Sequence, residues 1–537
     1  MTRRLSHWGW GYADRFTDRE GRAQFAQMVE QMLGFAALSP EEPVSLEAAT
    51  LAQSRLAIAP ALSAILSDAR EERITHTYGK AYRDLVRGFY GDFGSAPDLV
   101  ARPRNETEVV DLLDWASAER VAVIPFGGGT SVVGGVEPAV EGDFSGTLSL
   151  DMRAMGRVLE VDPISRAARI EAGATGPELE RQLEVYGLSL RHYPQSFEFS
   201  TLGGWLATRA GGHFATVYTH IDDFVESMRI ITPSGLVQTP RLPASGAGPS
   251  PDRLWLGSEG ALGIITEAWM RIRPRPLFRA RANVLFSDYA RAVEATRRIA
   301  QAYLHPSNCR LLDKREAMLN AVVFDGSHVL LLGFESAEYP QDQSMTHALE
   351  LCLELGGRCP DGAIFEDHSS TPTATRDAGS RWRQAFFDAP YLQNNMVSLG
   401  VIADTFETAC TWDRFEAMHA HIIGSLKEAM KRVCKAGMIT CRFTHVYPDG
   451  PAPYYTFVAP AVRGSELSQW AELKAAACEA LQAEGGTITH HHAVGRLHRP
   501  WYENERPELF ASALGAVKRE LDPAGILNPG VLLAERR

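Results

Sequence analysis

The sequence lacks the features that mark secreted, membrane-bound or disulfide-rich proteins. Its seven cysteines are few for 537 residues and form no Cys-x-x-Cys pair, which argues against a disulfide framework or a thiolate metal cage and predicts reduced thiols. No stretch approaches the roughly 20 uninterrupted apolar residues of a membrane-spanning helix, and no apolar core of signal-peptide length follows the basic first residues. We therefore expect a protein without a transmembrane segment, located in the cytoplasm.

Positive charge is also in short supply. The chain has 54 Lys and Arg residues against 66 Asp and Glu, a formal net charge of −12, which argues against nonspecific binding to nucleic acid. Hydrophobic residues make up 45% of the chain and charged residues 22%, so the composition gives no sign of global disorder. A chain of this length is too long for one hydrophobic core and should divide into two or three domains.

Glycine, in contrast, is concentrated in three segments. PFGGGTS, Pro125 to Ser131, follows an apolar run and predicts a strand that enters a turn with uncovered backbone N–H groups, which suits phosphate oxygens. An ordinary Gly-rich turn is the alternative for this segment alone. Two further Gly-rich segments, Pro194 to Gly212 and Gly257 to Glu267, make a nucleotide site the better interpretation. None of the three is a Gly-x-Gly-x-x-Gly fingerprint with a ribose-binding acid downstream, so a nicotinamide cofactor is not favoured.

In this order, PFGGGTS, FEFSTLGGWLATRAGG, ESMRIITPSG and GSEGALGIITE resemble the FAD-binding domain of the vanillyl-alcohol oxidase type of flavoprotein. The resemblance implies an α+β fold, with that FAD-binding domain and an α/β cap domain. It also implies one FAD per chain, bound without a covalent link, because PFGGGTS lacks the histidine that many relatives use for attachment. The FAD-binding residues that it implies are Pro125, Phe126, Gly127, Gly128, Gly129, Thr130, Ser131, Gln195, Ser196, Phe197, Glu198, Phe199, Ser200, Thr201, Thr208, Arg209, Ala210, Gly211, Glu259, Gly260, Ala261, Leu262, Gly263, Ile264 and Ile265.

Local patterns divide the chain into four segments. We expect an N-terminal helical region over 1–93, an FAD-binding domain over 94–279, a cap domain that holds the substrate over 280–485 and a C-terminal segment over 486–537 that returns to the flavin. Asn105 to Glu108 has capping-box spacing, and the apolar residues that follow recur at the helical period before the strand VAVIPF. Residues 22–34 also have a helical pattern.

Residues suited to proton transfer are concentrated near the C-terminus. His490, His491 and His492 are consecutive, so in an extended segment alternate rings point to opposite sides and the three cannot share one small site equally. A solvated histidine run is the alternative to a catalytic role. A metal site is another, because His445 and His492 fall where related 2-hydroxyacid dehydrogenases have histidines of their metal site. The remaining ligand of that site has no equivalent here, so we predict no metal.

The triple histidine, CR-x-T-x-x-Y from Cys441 to Tyr447, FETACTWDR from Phe406 to Arg414, the opening WGWGY and the FEFSTLGGW loop together resemble the alkyldihydroxyacetonephosphate synthase family of ether-lipid flavoenzymes. This likeness covers nearly the whole chain after residue 7. In that family, flavin N5 forms a covalent adduct with the dihydroxyacetone phosphate carbon, a fatty acid leaves and a fatty alcohol replaces it, without net oxidation. The resemblance therefore implies a small-molecule or lipid-like substrate.

The resemblance also implies roles for single residues. It places proton transfer at Tyr455, with Tyr454 as the runner-up, and at His491 and His492, and we group His490 with them as catalytic. Without the resemblance, a tyrosine in an apolar strand is most simply a packing residue. The residues expected to contact substrate are Arg310, Gln393, His445, Tyr447 and Tyr454. Arg310 matches a family arginine, and a buried structural ion pair is its alternative role.

Gln393 departs from the family pattern, because an arginine involved with the acyl carboxylate stands at that position in the family. Glutamine donates a hydrogen bond but carries no charge, so the bidentate grip on a carboxylate is lost. We therefore expect little exchange of acyl for alkyl groups. A flavin oxidase or dehydrogenase of a 2-hydroxy acid or a phenol is the alternative enzyme, and a non-enzymatic flavin protein is a third hypothesis. A homodimer is compatible with the sequence.

Overall fold

Three larger β-sheets, with helices packed on them, follow one another along the chain. The computed structural model describes residues 4–36, 39–367 and 378–534. Three helices belong to the N-terminal region, namely α1 (Arg19–Leu33), α2 (Arg70–Thr75) and α3 (Tyr82–Phe89). The helical pattern predicted over 22–34 is confirmed by α1, which ends where Gly34 adopts φ 71°. Every helix among the described residues is too short or too polar to cross a membrane.

The first sheet has the order β1-β2-β4-β3. Its strands are β1 (Leu66–Ser67), β2 (Leu99–Ala101), β3 (Val121–Phe126) and β4 (Gly146–Asp151). Strand β4 runs parallel to both β2 and β3. Helix α4 (Glu106–Glu119) begins after Asn105, whose side chain accepts the backbone N–H of Glu108, and it buries Val109 and Leu112. The strand-helix-strand unit predicted for this region is therefore confirmed.

The second sheet is antiparallel, with the order β5-β6-β10-β8-β9. Its strands are β5 (Val158–Asp162), β6 (Ala167–Glu171), β8 (Val225–Thr232), β9 (Gly235–Gln238) and β10 (Ile264–Arg271), and the short strands β7 (Leu188–Ser189) and β11 (Arg273–Pro274) pair with each other. The helices of this region are α5 (Gly176–Glu184), α6 (Leu202–Thr208) and α7 (Asp252–Trp255). Trp205 and Leu206 of α6 belong to the hydrophobic core of this sheet.

The third sheet has seven antiparallel strands in the order β15-β12-β14-β13-β17-β18-β16. They are β12 (Phe278–Phe286), β13 (Asn308–Leu312), β14 (His328–Ser336), β15 (Ile364–Glu366), β16 (Val401–Glu407), β17 (Met438–Val446) and β18 (Pro451–Pro460). The helices are α8 (Tyr289–Gln301), α9 (Lys314–Leu319), α10 (Asp342–Glu354), α11 (Ala378–Ser398), α12 (Trp412–Cys434) and α13 (Glu466–Ala483). Phe415 of α12 and Leu473 of α13 pack against one face of this sheet, and the opposite face borders a cavity.

Segments near both ends of the chain join the centre of the molecule. After α14 (Arg499–Glu505) and α15 (Glu508–Leu521), the backbone pairs with β3, where Val123 N–H donates to Ile526 at 2.8 Å. Near the other end, Trp10 N–H donates to Oδ1 of Asn394 at 2.8 Å, and Nδ2 of Asn394 donates to the Trp10 carbonyl at 3.0 Å. The boundaries at residues 93, 279 and 485 stay predictions, and α3, which precedes residue 94, packs into the core of the third sheet.

Candidate active site

A cavity of about 380 Å³ lies between the glycine loops and the open face of the seven-stranded sheet. Its polar walls come from the loop after β3, from residues 194–212 and from strands β16, β17 and β18. Helices α1 and α11 contribute an apolar wall, which consists of Phe25, Met28, Val29, Met32, Leu33, Leu392 and Met396. The same cavity therefore offers both polar groups and a hydrophobic surface to whatever binds in it.

The loop after β3 can hold phosphate oxygens. Gly128, Gly129 and Thr130 line the cavity, and their backbone N–H groups donate no hydrogen bond to another described residue. A Cβ on Gly128 would lie 2.0 Å from the Phe199 carbonyl oxygen, and one on Gly127 would lie 2.2 Å from Oγ1 of Thr201. Only glycine permits this close approach, and the uncovered N–H groups form an anion-binding nest.

The structure brings about half of the expected FAD-binding residues to the cavity. Those that line it are Gly127, Gly128, Gly129, Thr130, Ser131, Gln195, Ser196, Ser200, Thr201, Thr208, Ala210 and Gly211. Others lie behind the wall. Pro125 and Phe126 end strand β3, Phe197 packs near Trp205, Glu198 pairs with Arg15, Phe199 faces Tyr12 and Arg209 pairs with Asp222.

The third Gly-rich loop does not border this cavity. Its residues Glu259, Gly260, Ala261, Leu262, Gly263, Ile264 and Ile265 pack into the interior or against Pro125. Glu259 is buried and accepts the backbone N–H groups of Val494 at 2.9 Å and Gly495 at 2.8 Å. Burial raises the pKa of Glu259 to about 7, and the two N–H groups oppose that shift. This loop therefore anchors the C-terminal return that carries the histidines.

Glu407, at the end of β16, fixes the three histidines. Its buried carboxylate accepts the backbone N–H groups of His490 at 2.7 Å, of His491 at 3.0 Å and of His492 at 2.9 Å. Burial alone would raise the pKa of Glu407, but the facing His491 and His492 hold it well below its ordinary value. The segment is bent rather than extended because all three N–H groups converge on one carboxylate.

The three imidazoles have different surroundings. Those of His491 and His492 line the cavity, whereas His490 lies behind them. Nδ1 of His490 is 3.0 Å from Nδ1 of His491, and Nε2 of His490 is 2.7 Å from the hydroxyl of Tyr447. Burial lowers the pKa of His490 and of His492 well below the ordinary value, so both rings are neutral near pH 7.

The two adjacent tyrosines of β18 face opposite sides of the sheet. Tyr454 lines the cavity, its ring stacks at 6.0 Å from that of His491, and its hydroxyl donates to Oγ1 of Thr405 at 2.9 Å. Tyr455 is fully buried among Phe406 and His419 on the helix-covered side. The expectation that Tyr455 faces the flavin therefore does not fit this structure. Side chains alternate along a strand, and it is Tyr454 that points to the cavity.

Among the described residues, three cationic side chains line the cavity. At the position of Gln393, a neutral amide stands in place of the arginine that the family resemblance implies. Arg442 pairs with Glu316 at 2.6 Å and lies 3.9 Å from the centre of the Tyr454 ring. Arg310 donates from Nη2 to the His213 carbonyl at 3.4 Å, and burial lowers its pKa to about 10. Lys80 lies next to the first glycine loop, where its backbone N–H donates to Ser131, and burial lowers its pKa to about 8.

Gln393 also borders the cavity, on its apolar side. Its amide is used by neighbouring protein groups, since Oε1 accepts from Nε1 of Trp10 at 2.9 Å and Nε2 donates to the Ala403 carbonyl at 2.9 Å. Gln393 therefore ties the N-terminal segment and α11 to β16 in this structure.

His445, at the end of β17, joins the histidine cluster. Its Nε2 lies 3.0 Å from the Gly212 carbonyl, which leaves Nδ1 buried without a partner. Ligand atoms of His445, His490 and His491 lie within 4.8 Å of one another, a spacing that can hold a metal ion. Tyr447 lies on the far side of His490 from the cavity and lines a second, open pocket of about 1000 Å³.

Several residues at this site were not identified from the sequence, namely Lys80, Glu316, Glu407 and Arg442. Both belong to motifs that carry the family resemblance, Glu407 to FET and Arg442 to CR-x-T. A charged residue within an apolar strand was the available signal for both, because such a residue is buried only when it is paired.

Comparisons with known proteins find FAD-linked relatives over most of the chain. A family model described as "FAD binding domain" matches residues 97–240, and one described as "FAD linked oxidases, C-terminal domain" matches residues 275–532. Alkyldihydroxyacetonephosphate synthase of Trypanosoma brucei brucei is 33% identical over 86% of this chain and 77% of the relative. The Dictyostelium discoideum protein of that name is 32% identical over 87% and 78%. A solved structure titled alkyldihydroxyacetonephosphate synthase superposes with a TM-score of 0.78 at 27% identity, covering 98% of each chain.

Proposed function

Because this chain belongs to the alkyldihydroxyacetonephosphate synthase family of FAD-linked flavoenzymes, we propose that it exchanges the acyl group of an acyl-dihydroxyacetone phosphate for an alkyl group. FAD is its cofactor, and the protein is an FAD-binding enzyme. The observation that carries the proposal is the single cavity that joins the glycine loops, the histidines with Tyr454 and the apolar wall of α1 and α11.

The residues present fit FAD. The uncovered N–H groups of Gly128, Gly129 and Thr130 would hold its pyrophosphate, and Thr201 and Gly211 would line its ring system. When bound, FAD supplies the ring atoms at which the substrate carbon reacts. The protein itself must bind the substrate, exclude water and move protons.

His491 is the group best suited to move a proton at the cavity. Its Nδ1 lies 3.0 Å from Nδ1 of His490 and 3.2 Å from Oε2 of Glu407, so the nearby carboxylate favours the proton on Nδ1 and leaves Nε2 of this cavity-lining residue as the base. Such a carboxylate-imidazole pair fixes the tautomer and stabilises the imidazolium that forms on protonation. The ring of Tyr454 stacks on that of His491, and its hydroxyl, which donates to Oγ1 of Thr405, is the group that would deliver or take a second proton. We therefore assign proton transfer to His491 and Tyr454.

The cavity also suits a substrate with an anionic head and a long chain. The expectation of little exchange rested on the loss of charge at Gln393, yet Lys80, Arg310 and Arg442 all line the same cavity. Charge-assisted hydrogen bonds from these residues to phosphate or carboxylate oxygens are about twice as strong as neutral ones. The apolar wall from Phe25 to Leu33 and from Leu392 to Met396 offers the matching surface for acyl or alkyl chains.

The test is to incubate purified holoprotein with palmitoyl-dihydroxyacetone phosphate and hexadecanol and to measure the alkyl ether by mass spectrometry. We expect ether formation without bleaching of the flavin in an anaerobic cuvette. His491→Ala should lower the rate by about 10²-fold or more, with normal FAD content. No ether above a no-enzyme control would refute the exchange.

A second candidate is a flavin dehydrogenase or oxidase of a 2-hydroxy acid or a phenol. The observation that favours it is the neutral Gln393 in a cavity that His445 and His491 also line. In the same anaerobic cuvette, bleaching of the flavin by a hydroxy acid or phenol, with no ether from the lipid, would support this reaction instead. A cytoplasmic location and a homodimer stay predictions.

A further inference from the structure

We propose that His490 and His220 form a proton relay that connects the cavity base His491 to solvent. The relay rests on the proposed function in one respect, since it takes His491 as the group that exchanges protons in the cavity. His490 itself does not line the cavity, and its two ring nitrogens face two different imidazoles.

The distances make a continuous path. Nδ1 of His491 is 3.0 Å from Nδ1 of His490, and Nε2 of His490 is 3.1 Å from Nε2 of His220. The hydroxyl of Tyr447 lies 2.7 Å from Nε2 of His490 and 3.0 Å from Oγ1 of Thr219, so it positions the central ring. All three contacts to His490 lie within hydrogen-bonding range.

The hydrogen-bond partners assign the tautomers. Nδ1 of His220 lies 2.9 Å from the Arg209 carbonyl and must donate to it, which leaves Nε2 as an acceptor. Nε2 of His490 is then the donor to His220, and Nδ1 of His490 is an acceptor. His491 consequently donates from Nδ1 to His490, and the carboxylate of Glu407, 3.2 Å from the same nitrogen, favours a proton there. One set of tautomers satisfies the whole path.

The far end of the path reaches solvent. His220 is partly exposed, and the side chain of the neighbouring Arg209 is 52% exposed. His490, in contrast, has only 6% of its side chain exposed. On the side of α1 and α11 the cavity has an apolar wall, which includes Phe25, Met28 and Met32 and, among the described residues that form it, offers no side chain that can carry a proton. A path through imidazoles avoids that apolar wall.

The transfer conserves protons. His491 takes a proton at Nε2 from a ligand in the cavity and passes its Nδ1 proton to Nδ1 of His490. His490 passes its Nε2 proton to Nε2 of His220, whose Nδ1 proton leaves its hydrogen bond to the Arg209 carbonyl and goes to solvent. The reverse sequence returns a proton to the cavity and restores the starting tautomers. No oxidant or further reactant is needed, and no charge remains on His490.

The experiment follows proton release without any substrate. Holoprotein, freed of metal ions by a chelator, is photoreduced anaerobically and mixed with ferricyanide in a stopped-flow cell that contains phenol red. Oxidation of the anionic reduced flavin by this one-electron oxidant releases one proton, and the dye reports when that proton reaches solvent. Flavin absorbance reports the oxidation itself, so the delay between the two signals measures proton escape.

We expect the two signals to coincide in the wild type. In His490→Gln and His220→Gln the dye should lag, with proton release about tenfold or more slower than flavin oxidation, because an amide holds the hydrogen bonds but does not carry a proton. Exogenous imidazole should shorten the lag in His490→Ala. His347→Gln, a change at an exposed histidine elsewhere, should match the wild type.

Coincident signals in His490→Gln and His220→Gln would overturn the relay, as would a lag that imidazole does not shorten. Because the assay needs only bound flavin, a protein that fails the ether assay can still give either result. Failure of the relay and failure of the proposed exchange are therefore distinguishable.

Discussion

Oε2 of Glu407 lies 3.2 Å from Nδ1 of His491 and also accepts the backbone N–H of the same residue at 3.1 Å. One carboxylate at the end of β16 therefore sets both the position of the histidine segment and the tautomer of the ring that reaches the cavity. The side chain acts without lining the cavity itself.

Glu407→Gln should lower both the stability of the protein and its turnover. The amide offers one acceptor oxygen to the backbone N–H groups of residues 490–492, and its NH₂ group faces donors. Leaving buried donors without a partner costs about 1–3 kcal/mol. Urea denaturation should show a loss of that size in the free energy of unfolding. Glu484→Gln, which removes the exposed partner of His421, is the control and should change stability by about 0.5 kcal/mol or less.

Tyr454→Phe and Tyr455→Phe form a matched pair across one strand. We expect Tyr454→Phe to lower turnover by about 10²-fold, because it removes the hydroxyl of the cavity-lining tyrosine whose ring stacks on His491. Tyr455→Phe should leave turnover nearly unchanged and cost about 1 kcal/mol of stability through the lost hydrogen bond to His419. The reverse pattern in steady-state rates would restore the role that the family resemblance implies for Tyr455.

Gly128→Ala should abolish or strongly weaken FAD binding. The added methyl group would lie 2.0 Å from the Phe199 carbonyl oxygen, so the loop must move and its N–H groups must leave their positions. Fluorescence titration of the apoprotein with FAD measures the effect. Gly424→Ala is the matched control, since an added Cβ meets nothing within 4 Å at that exposed position in α12. There alanine should raise helix stability by about 0.5–1 kcal/mol without affecting FAD.

The pH dependence of stability should show the cost of burying neutral histidines. Burial, reinforced by Lys427, lowers the pKa of His419 from 6.5 to about 4. Below pH 6.5 His419 is protonated in the unfolded chain, whereas in the folded protein it stays neutral down to about pH 4. The free energy of unfolding therefore falls as the pH falls through this window. At pH 5 the loss is about 2 kcal/mol for this residue.

His419→Gln tests that assignment. Its free energy of unfolding should decline less than that of the wild type between pH 7.5 and pH 5, by about 2 kcal/mol. Parallel pH profiles for the two proteins would assign the acid sensitivity to other groups, such as His192 and His498, whose pKa values burial lowers to about 3 and about 4.

The flavin should be held without a covalent bond, because the loop Gly127 to Ser131 has no histidine or cysteine to which it could attach. Acid precipitation of the yellow holoprotein should leave the colour in the supernatant, where its absorbance gives one FAD per chain. Colour that stays in the pellet would contradict this prediction.

The glycine loops and the histidines could be identified from the sequence because their chemistry is local. A strand that enters three glycines exposes its N–H groups wherever the fold places it. The choice between Tyr454 and Tyr455 could not be made in this way, since a shift of one residue along a strand moves a side chain to the other face. Glu407 and Arg442 were missed for a similar reason. Their partners lie 83 and 126 positions away, and only the folded sheet brings them together.

The hydrogen bonds between Trp10 and Asn394 also bear on when the cavity wall can form during synthesis of the chain. The two residues are 384 positions apart, so a ribosome that adds 5–20 residues per second makes Asn394 roughly 20 to 80 s after Trp10. During that interval the apolar side of α1, which packs against Leu399 and Val401, has no surface to cover. The wall formed by α1 and α11 is thus completed only when an earlier segment of the chain meets one that is made much later, and chaperones have access to the earlier segment throughout that interval.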